Sequence, residues 1–426
     1  MKTLQVLSFL FLSFLVISCN YSEKTFSKLD VKALKKASEE EIEKLIIQFI
    51  EAKEGDVINI PAGFFELSTQ LVLDNVNNVK IKGAGMFNTV LSFKNQTTGG
   101  EGMKISGNKV VLEDFTVMDA PGDDIKTQKC DGLIFRNVNT TWSNADLSKS
   151  GTYGIYPVQC KNVLIEKCEV SHSRDAGIYV GQSENIIVRE NYVFENVAGI
   201  EIENSDNAEV YNNKTINNTS GILVFNLPGL PKASGSNTKV YKNLIKDNNH
   251  DNFAQGVASE NGNPITMIPP GSGVIIMAGK NVEVFDNQII NHKTTGVAIL
   301  NYQITELKVP NHPGWSPYSS DIYFHDNTYE RNMAVPDMTK DFGKLVAAKC
   351  LKPQDFIYDG IIDEKLGKDV TKNPMNICVD EKMTDFRFSR FIIPAKGGIM
   401  SISVANDYTN FKSCKVIVNT DVSKVI

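Results

Sequence analysis

The chain has 426 residues, of which 42% are hydrophobic, and its formal net charge is -6. This length allows about two or three average domains or one long array of repeats, and the acidic balance excludes nucleic acid as an expected partner. Asparagine and glycine recur at regular intervals rather than in low-complexity tracts, so the composition does not indicate disorder.

The N-terminus predicts an export signal. The apolar run from Leu4 to Ile17 is shorter than a membrane-spanning helix requires. It ends in Val-Ile-Ser-Cys at Cys19, which resembles the lipobox of bacterial lipoproteins, so we predict a signal peptide over residues 1–18 and a lipid on Cys19. Asn20 in place of Asp favours, by resemblance to the enterobacterial sorting rule, the outer membrane of a diderm bacterium, with residues 19–37 as a tether. A cleaved signal with an incidental cysteine is the alternative.

Residues 38–52 are predicted to form a helix that covers one end of the fold. Ser38 and Glu41 have the spacing of a capping box. The apolar residues of this segment keep helical spacing and would form one face: Ile42, Leu45, Ile46 and Phe49.

The central part of the chain repeats two markers. The first is a glycine followed by alternating apolar residues, at Gly154, Gly177, Gly199, Gly221, Gly273 and Gly296. The second is an asparagine column, at Asn191, Asn213, Asn243, Asn287 and Asn327. The step from a glycine to the next asparagine is 14 positions, as from 177 to 191 and from 199 to 213. Where the spacing is longer, the additional residues lie at two corners of the coil. A period near 22 residues, as from 177 to 199, with insertions confined to corners is typical of a solenoid.

The residues after each glycine alternate with a period of two, which predicts a strand. After Gly177, for example, Ile178 and Val180 point to one face and Tyr179 to the other. No segment between these strands is long enough for a crossover helix, so successive coils must stack as parallel strands. We therefore predict an all-β, right-handed parallel β-helix of roughly ten coils, with its cap, over residues 38–335.

The two markers have physical causes in such a stack. Coils lie about 4.8 Å apart, so an inward asparagine can donate its amide to the asparagine of the next coil. This pairing avoids the cost of an unpaired buried amide, about 1–3 kcal/mol. The glycine column is expected to supply a bend where a side chain would not fit. Toward the N-terminus, the asparagine position is occupied by Phe115, Val138 and Cys168.

Six cysteines follow Cys19, which suits an oxidising compartment. We predict a disulfide between Cys378 and Cys414, although spacing alone does not fix the connectivity. Cys130 and Cys160 share a register in consecutive coils and lie within the Cα range of a disulfide, so a bridge between them stays open.

The repeat fades beyond about residue 336. We predict a separate C-terminal module over residues 336–426, β-rich because "GIMSISVA" and "CKVIVNT" alternate in hydropathy. This module would cover the second end of the β-helix, whose bare edge would otherwise invite pairing with other chains.

Several stretches resemble a known family: "GTYGIYPVQCKNVLIEKC", "DAGIYVGQSENIIVRENYVFENVAGIEIENS", "GILVFNLPGLP" and "PPGSGV". They resemble exported parallel β-helix repeat proteins, many of them lipoproteins of unestablished role, over roughly Gly83 to Gly360. The repeats are also similar to those of periplasmic mannuronan C-5-epimerases and pectate lyases. The resemblance implies a parallel β-helix and a polysaccharide partner. The Asp-Pro-His-Asp motif of the epimerases is missing from this chain, and the nearest similar pair, His250-Asp251, lies in an inserted loop.

Polymer substrates of such helices usually lie along an outward strand face, so the position two places after each glycine is the candidate site. With Asp124 taken as the glycine equivalent of its coil, this column contains Lys126, Tyr156, Tyr179, Glu201, Leu223, Ile275 and Ala298. The polar members all lie in the first four of these coils.

Proton abstraction next to a uronate carboxylate needs a cation, a base and an acid. We predict Arg174 or Lys126 as the cation and His172 as the base. Tyr156 or Tyr179 would be the acid. The residues predicted to bind substrate are Asp123, Asp124, Asp175, Glu201, Glu203 and Trp315. The alternative is that the aromatic rings stack for stability and that Arg174 pairs with a neighbouring carboxylate.

Two further interpretations involve carboxylates. Glu201 and Glu203 point the same way on one strand, about 7 Å apart, which is compatible with an inverting glycosidase pair or with two solvated side chains. Asp123 and Asp124 offer too few oxygens for Ca²⁺, which needs about six to eight. We therefore predict no metal site, and calcium is the one cofactor that a pattern suggests.

We expect a lipid-anchored envelope protein that binds or modifies an acidic polysaccharide, as a lyase or a C-5 epimerase if it is an enzyme. A first alternative is a non-catalytic protein that binds carbohydrate through aromatic residues of an inserted loop: Tyr302, Trp315 and Tyr318. A second alternative is an assembly partner that binds a second exported protein. In each case, contact with the membrane is limited to the lipid on Cys19.

Overall fold

The computed structural model describes residues 29–255, 264–331, 333–394, 398–412 and 414–425. The signal peptide predicted over residues 1–18, the lipid site at Cys19 and the first part of the tether lie outside these ranges. Among the described residues, no helix has the length and apolar character needed to cross a membrane.

Short strands dominate the described chain. In chain order they are β1 (Val57–Asn59), β2 (Gly63–Glu66), β3 (Thr69–Leu73), β4 (Lys80–Lys82), β5 (Thr89–Ser92), β6 (Thr98–Ile105), β7 (Val110–Met118), β8 (Ile125–Gln128), β9 (Asp131–Thr141), β10 (Ile155–Val158), β11 (Lys161–Glu166), β12 (Glu169–Ser171), β13 (Ala176–Gly181), β14 (Glu184–Arg189), β15 (Tyr192–Phe194), β16 (Ala198–Glu203), β17 (Asp206–Tyr211), β18 (Lys214–Ile216), β19 (Ser220–Phe225), β20 (Ser236–Tyr241), β21 (Leu244–Lys246), β22 (Ser272–Met277), β23 (Lys280–Phe285), β24 (Gln288–His292), β25 (Thr295–Leu300), β26 (Ser320–His325), β27 (Thr328–Arg331), β28 (Gln354–Tyr358), β29 (Ile377–Asp380), β30 (Phe388–Ile392) and β31 (Ser403–Ala405). The helices are α1 (Glu39–Ile50), α2 (Asp341–Cys350) and α3 (Thr409–Lys412). Short 3-10 helices span Val31–Ala33, Leu147–Lys149, Pro264–Met267, Tyr302–Thr305, Val370–Lys372 and Ile399–Ser401.

The strands form two sheets that wrap around a shared apolar core. Sheet A contains two rows, one running from β9 through β11, β14, β17, β20, β23 and β26 to β29, and one from β12 through β15, β18, β21 and β24 to β27. Sheet B contains β3, β6, β8, β10, β13, β16, β19, β22, β25, β28, β30 and β31. Equivalent strands of successive coils pair in parallel, so that Ile178 lies beside Ile200, which lies beside Ile222. The prediction of an all-β, right-handed parallel β-helix is confirmed.

The predicted asparagine ladder runs through the core of the coils. The Asn191 side chain donates to Asn213 Oδ1 at 2.9 Å, and the Asn213 side chain donates to Asn243 Oδ1 at 3.0 Å. The series continues to Asn287 and then to Asn327, at 2.9 Å in each step. Each of these oxygens also accepts the backbone N–H of the preceding asparagine, at 3.0 or 3.1 Å. The buried amides therefore satisfy one another, as the sequence pattern predicts.

A second ladder at another corner was missed by the sequence analysis. Asn196 donates to Asn218 Oδ1 at 3.0 Å, and Asn218 donates to Asn248 Oδ1 at 2.9 Å. The next position is occupied by His292, whose Nε2–H donates to the Ile245 carbonyl at 3.1 Å. Burial lowers the pKa of His292 to about 4, so its ring is neutral inside the core. Hydrogen bonds between side chains thus connect each central coil to its neighbours at two corners.

The glycine column confirms the predicted lack of room for a side chain and contradicts the predicted bend. These glycines do not supply bends, because their φ angles lie outside the left-handed region. They lie where a side chain would collide: a Cβ on Gly177 would be 2.8 Å from Val193 Cγ1, and one on Gly199 would be 2.5 Å from the Gly221 carbonyl oxygen. The bends use non-glycine residues with positive φ instead, such as Asn185 at 56°.

Helix α1 covers the first end of the β-helix. Ser38 Oγ accepts the Glu41 N–H at 3.2 Å, and the Glu41 carboxylate accepts the Ser38 N–H at 2.7 Å, which confirms the capping box. Leu45 and Phe49 are buried on the side of α1 that faces the first coils.

Parallel pairing continues past residue 335 at the other end. Strand β28 pairs with β25, β29 with β26, and β30 with β28. The coils extend beyond the fading of the two markers because apolar residues such as Phe356 and Ile377 still fill the inward positions. The domain boundaries at 38–335 and 336–426 stay a prediction.

The C-terminal tail corrects the prediction of a strand over "CKVIVNT", which forms neither helix nor strand. Val416 and Val418 pack on Tyr323 of β26, and Val425 packs with Leu164 of β11. The tail therefore crosses the coils, and a segment that crosses strands cannot join their hydrogen-bond ladder. In "GIMSISVA", the last three residues do form β31, which is antiparallel to β30.

The cysteines divide into one bridge and several thiols. Cys414, at the start of the tail, is bonded to Cys378, and their Cα atoms are 5.4 Å apart. Cys130, Cys160 and Cys168 are buried free thiols, and the Cys130 N–H donates to the Cys160 sulfur at 3.4 Å. Of the two bridges considered, the structure therefore has the C-terminal one.

Replacing Asn243 by Ala should destabilise the fold by roughly 2–4 kcal/mol, because it interrupts the ladder and leaves the Asn213 backbone N–H without its acceptor. The measurement is the midpoint of urea unfolding. Asn95→Ala, at an exposed position, is the control and should leave the midpoint unchanged. Equal midpoints for both variants would contradict the role of the ladder.

Candidate functional site

The predicted outward column is present on sheet B. Strand pairing puts Lys126 beside Tyr156 and Tyr179 beside Glu201. We call these four residues the polar half of the column. The apolar half, which continues from Glu201 along the same register, consists of Leu223, Ile275 and Ala298.

This face is much less exposed than an outward strand position suggests. The exposed fractions are 4% for Tyr179, 3% for Glu201 and 6% for Glu203. The cause is that corner insertions fold back over sheet B, where Leu227 and Trp315 join one apolar cluster with the strand residues. The insertions therefore determine how exposed these side chains are, and the coil register alone does not determine it.

Three tyrosines meet in the polar half. The ring centroids of Tyr153 and Tyr156 are 4.7 Å apart, and the Tyr179 centroid lies 4.6 Å and 4.9 Å from them. Carboxyl groups surround these rings closely enough for their charges to raise the tyrosine pKa values: Glu101, Asp123, Asp175, Glu201 and Glu203. We call these eight residues the tyrosine–carboxyl cluster.

Sequence reasoning missed two members of the cluster. Tyr153 directly precedes the Gly154 marker, so its place at the start of a coil was readable although its orientation was not. Glu101 lies on β6, in a coil without either marker. It is connected to the site through Lys126, whose Nζ is 3.4 Å from Glu101 Oε1.

Gly181 allows Tyr179 to reach Glu203. Gly181 follows Tyr179 by two residues and lies beside Glu203 in the next coil. A Cβ on Gly181 would be 2.4–2.7 Å from the Tyr179 ring and hydroxyl, so the ring lies along the strand, over the glycine. The Tyr179 hydroxyl hydrogen-bonds to the Glu203 carboxyl. A tyrosine and a carboxyl of neighbouring coils are thus joined across a position that has no room for a side chain.

The carboxyl groups of Glu201 and Glu203 are close enough to influence each other's protonation. Burial raises the pKa of Glu203 to about 7. Burial and the charge of Glu203 raise the pKa of Glu201 well above its usual range, so the pair holds a proton at neutral pH. Burial of both side chains corrects the alternative that they are two solvated carboxylates. The inverting-glycosidase interpretation, which requires the two carboxyl groups to be about 6.5–9.5 Å apart, stays a prediction.

Asp123 lies on the accessible side of the cluster and is half-buried. Burial raises the pKa of its carboxyl to about 6, and the positive charges of Lys126 and Arg174 oppose this rise. The Lys126 ammonium lies 5.0 Å from the centroid of the Tyr156 ring. An ionisable carboxylate, two cations and a tyrosine therefore meet at a half-exposed surface.

His172 is not part of this group. Its Nδ1 lies 3.0 Å from Thr141 Oγ1, and its Nε2 lies 2.9 Å from Glu195 Oε2. Both ring nitrogens are therefore engaged at a corner of the coil, and no hydrogen bond or ring contact among the described residues joins His172 to the three tyrosines. The predicted base is thus not where the geometry brings acid and cations together.

Trp315 and Asp124 are also placed away from solvent, contrary to expectation. Trp315 is 9% exposed, its Nε1–H donates to the Asn226 carbonyl at 3.0 Å, and its ring packs edge-on against Tyr302. Trp315 therefore holds an inserted loop in place and does not present its ring to a sugar. Asp124 is fully buried, and its Oδ1 accepts the Ala120 N–H at 3.1 Å.

The calcium interpretation gains no support from this geometry. Because Asp124 is buried in the coil, it does not join Asp123 at the surface. Over the ranges that the structure describes, there is no group of three or more His, Cys, Asp or Glu side chains that could hold a metal ion.

Residues 131–308 match the protein-family model described as "Right handed beta helix region". This stretch is a right-handed β-helix region. The match confirms the resemblance to parallel β-helix repeat proteins. No curated protein matches the chain.

Solved structures with a similar chain path include polysaccharide-acting proteins. The mannuronan C-5 epimerase AlgE6 A-module of Azotobacter vinelandii is 14% identical, with a TM-score of 0.51 over 85% of this chain and 94% of that one. The AlgE4 A-module of the same organism is 13% identical, with a TM-score of 0.48 over 85% and 96%. A polygalacturonase from Erwinia carotovora ssp. carotovora is 12% identical, with a TM-score of 0.41 over 71% and 76%. At these identities the likeness concerns the fold alone.

The raised pKa of Glu203 predicts how stability changes with pH. A carboxyl whose pKa rises from 4.5 to about 7 on folding binds its proton more tightly in the folded state. The stability it contributes is therefore complete below pH 4.5 and is lost as the pH rises toward 7. Glu203→Gln removes this loss, so the variant should gain roughly 1–3 kcal/mol over the wild type between pH 5 and pH 8.

Urea unfolding at several pH values measures this difference. Glu330→Gln, at an exposed position on β27, is the matched control and should follow the wild-type curve. Parallel curves for the wild type and Glu203→Gln would show that Glu203 is not held in its protonated form.

Proposed function

We propose that the chain modifies an acidic polysaccharide at the tyrosine–carboxyl cluster, by proton transfer next to a uronate carboxylate. The observation that carries the proposal is the position of Asp123. Its pKa of about 6 leaves it ionised at neutral pH, beside the charges of Lys126 and Arg174 and close to Tyr156. These groups correspond to the base, the cations and the acid that such a reaction needs.

The chemistry assigns one role to each group. The substrate carboxylate would lie against Arg174 and Lys126, whose charges stabilise the negative charge that develops when the neighbouring C–H bond breaks. Asp123 takes the C-5 proton, and the electron pair moves into the substrate carboxylate. Tyr156 then gives its phenolic proton to the opposite face of C-5, which yields the epimer, or to the departing glycosidic oxygen, which yields an unsaturated chain end. Burial and nearby carboxylates raise the pKa of Tyr156, so it keeps this proton at neutral pH.

The buried part of the cluster is compatible with an anionic substrate. Since burial raises the pKa of Glu203 to about 7 and that of Glu201 further, the pair carries little negative charge below neutral pH. Above that range Glu203 ionises and should repel a polyuronate. A neutral glucan would not be affected in this way, so the pH dependence of binding separates the two substrate classes.

The fold is also consistent with a polysaccharide substrate, because solved structures with this fold include a mannuronan C-5 epimerase A-module. A second candidate function is carbohydrate binding without chemistry. It is favoured by the half-buried rings of Tyr153 and Tyr156 on the accessible side of the cluster, where aromatic faces can pack against sugars.

The test is to incubate the purified chain with a panel of uronate polymers and a neutral glucan. New unsaturated ends indicate a lyase, and solvent deuterium at C-5 indicates an epimerase. We expect turnover to rise with pH through about 6, as Asp123 ionises. Asp123→Asn should lower turnover by about 10²-fold or more, and Arg174→Ala should lower kcat and kcat/KM, because it removes a charge that stabilises the transition state.

Two variants serve as controls for this assay. His172→Ala should retain turnover, because its ring is held by Thr141 and Glu195. Gly181→Ala removes no functional group but displaces the Tyr179 ring from Glu203, so it should shift the pH profile. Full turnover by Asp123→Asn would overturn the assigned base. Binding without turnover would support the second candidate, and an absence of polymer binding would favour a second exported protein as the partner.

The cellular setting is a further proposal. We infer from the apolar run that ends at Cys19 that the chain is exported and carries a lipid on this cysteine, which would hold it at the outer membrane of the cell envelope. Mass spectrometry of the mature N-terminus tests this, because an unmodified N-terminal fragment would contradict it.

A further inference from the structure

The apolar half of the sheet B column leads into a cavity of about 600 Å³. Its floor is a row of outward side chains on successive strands, in which Phe225 lies beside Met277, and Met277 lies beside Leu300. The same register begins one coil earlier at Glu203. The cavity is therefore a continuation of the face that carries the tyrosine–carboxyl cluster, with opposite chemistry.

Apolar residues also form the walls of the cavity. Ile268 contributes from an insertion, and Phe342 and Leu345 contribute from the first half of α2. A volume of this size lies within the range of ligand-binding cavities, about 300–1,000 Å³, which are mostly apolar with a few polar groups. A packed core leaves few voids larger than a water molecule, so this space is not a packing defect of ordinary size.

A few polar side chains also line the cavity. Glu306, Lys340 and Asp341 line it with charges of both signs, so no single charge is selected. Gln303 adds a buried side-chain oxygen without a hydrogen-bond partner in the described chain. This arrangement suits a long apolar chain that ends in one polar group.

The mouth of the cavity is apolar and open to solvent. Ile393 and Ile399 line the cavity and are 38% and 40% exposed. Three more exposed apolar side chains directly adjoin lining residues in the sequence: Met338, Ile392 and Met400. Exposed apolar side chains on the lining of a cavity are typical of a binding site.

We propose that this cavity binds a long acyl chain, from a free fatty acid or from a membrane lipid. The chain would lie on Phe225, Met277 and Leu300, with its polar end toward Gln303 and the charged rim. This function is separate from polysaccharide modification, because none of the cavity residues belongs to the tyrosine–carboxyl cluster.

The test titrates the purified protein with cis-parinaric acid, whose fluorescence increases in apolar sites, and displaces it with unlabelled palmitic acid. Met277→Trp fills the cavity floor and should weaken binding at least about tenfold. Ile399→Glu places a charge at the mouth and should also weaken it. Ile47→Glu, on α1 with a similar exposure of 43%, is the matched control and should bind like the wild type.

Circular dichroism and thermal unfolding establish that each variant is folded before its affinity is interpreted. Flotation with phosphatidylcholine vesicles, carried out with protein expressed without residues 1–19 and therefore without the proposed lipid on Cys19, distinguishes the two sources of the chain. Flotation that is lost in Met277→Trp assigns a bilayer lipid, and probe binding without flotation assigns a free fatty acid. No saturable binding in either assay, or unchanged binding by a folded Met277→Trp variant, would overturn the proposal.

Discussion

The hydrogen bond between stacked asparagine amides is the constraint on which the rest of the structure depends. An amide that points into the core of one coil is satisfied only when the next coil places an amide oxygen about one strand spacing away. The ladders through Asn213 and Asn218 meet this condition at two corners. Glycines such as Gly177 keep the adjacent strand close enough for the contact, since a Cβ there would press on the Asn196 amide. The register of each coil relative to the next is therefore fixed, and inserted segments are accommodated only at the corners.

A fixed register has consequences for the outer face of sheet B. Every second residue of each strand lies in a straight column across the coils, so local sequence decides the chemistry along the column. Polar residues in the first coils produce the tyrosine–carboxyl cluster, and apolar residues in the later coils produce the floor of the cavity. The insertions fold over this face and bury part of it. Burial in turn raises the pKa values of Asp123 and Glu203 into the range where carboxyl groups exchange protons near neutral pH.

Much of the coil geometry could be predicted from the sequence because it is periodic. The spacing of Gly177 and Asn191 predicts the strand, its neighbour and the inward amide, and the pairing of Tyr179 with Glu201 follows from the same count. The ladder through Asn218 was missed, although the same period contains it. For the glycine column, the lack of room for a side chain was predicted correctly, but the bend was not, because a close approach and a left-handed bend select the same residue.

The site was less predictable because it depends on segments without a period. The count places Glu201 and Glu203 outward but contains no information on the insertions that bury them. The contact between Tyr179 and Glu203 depends on a ring lying over Gly181, which is a property of packing and not of spacing. Trp315 looked like an exposed aromatic residue in a loop, yet its indole N–H is bonded to a backbone carbonyl beneath the surface. Tertiary packing thus determines how exposed the side chains of the site are, while the repeat determines their positions on the strands.

The most direct test of this account is a pair of register-dependent crosslinks between β20 and β23, which lie on either side of the insertion between β21 and β22. Lys239 and Glu283 are partners in the structure although they are 44 positions apart in sequence. Cysteines at these two positions should form a disulfide under mild oxidation, because partner Cα atoms lie about 4.8 Å apart. Cysteines at Lys239 and Phe285, one step further along the same face, should stay reduced, because their separation of about 8 Å is too large. Equal crosslinking of both pairs, or of the second pair alone, would contradict the stacked register on which the site and the cavity depend.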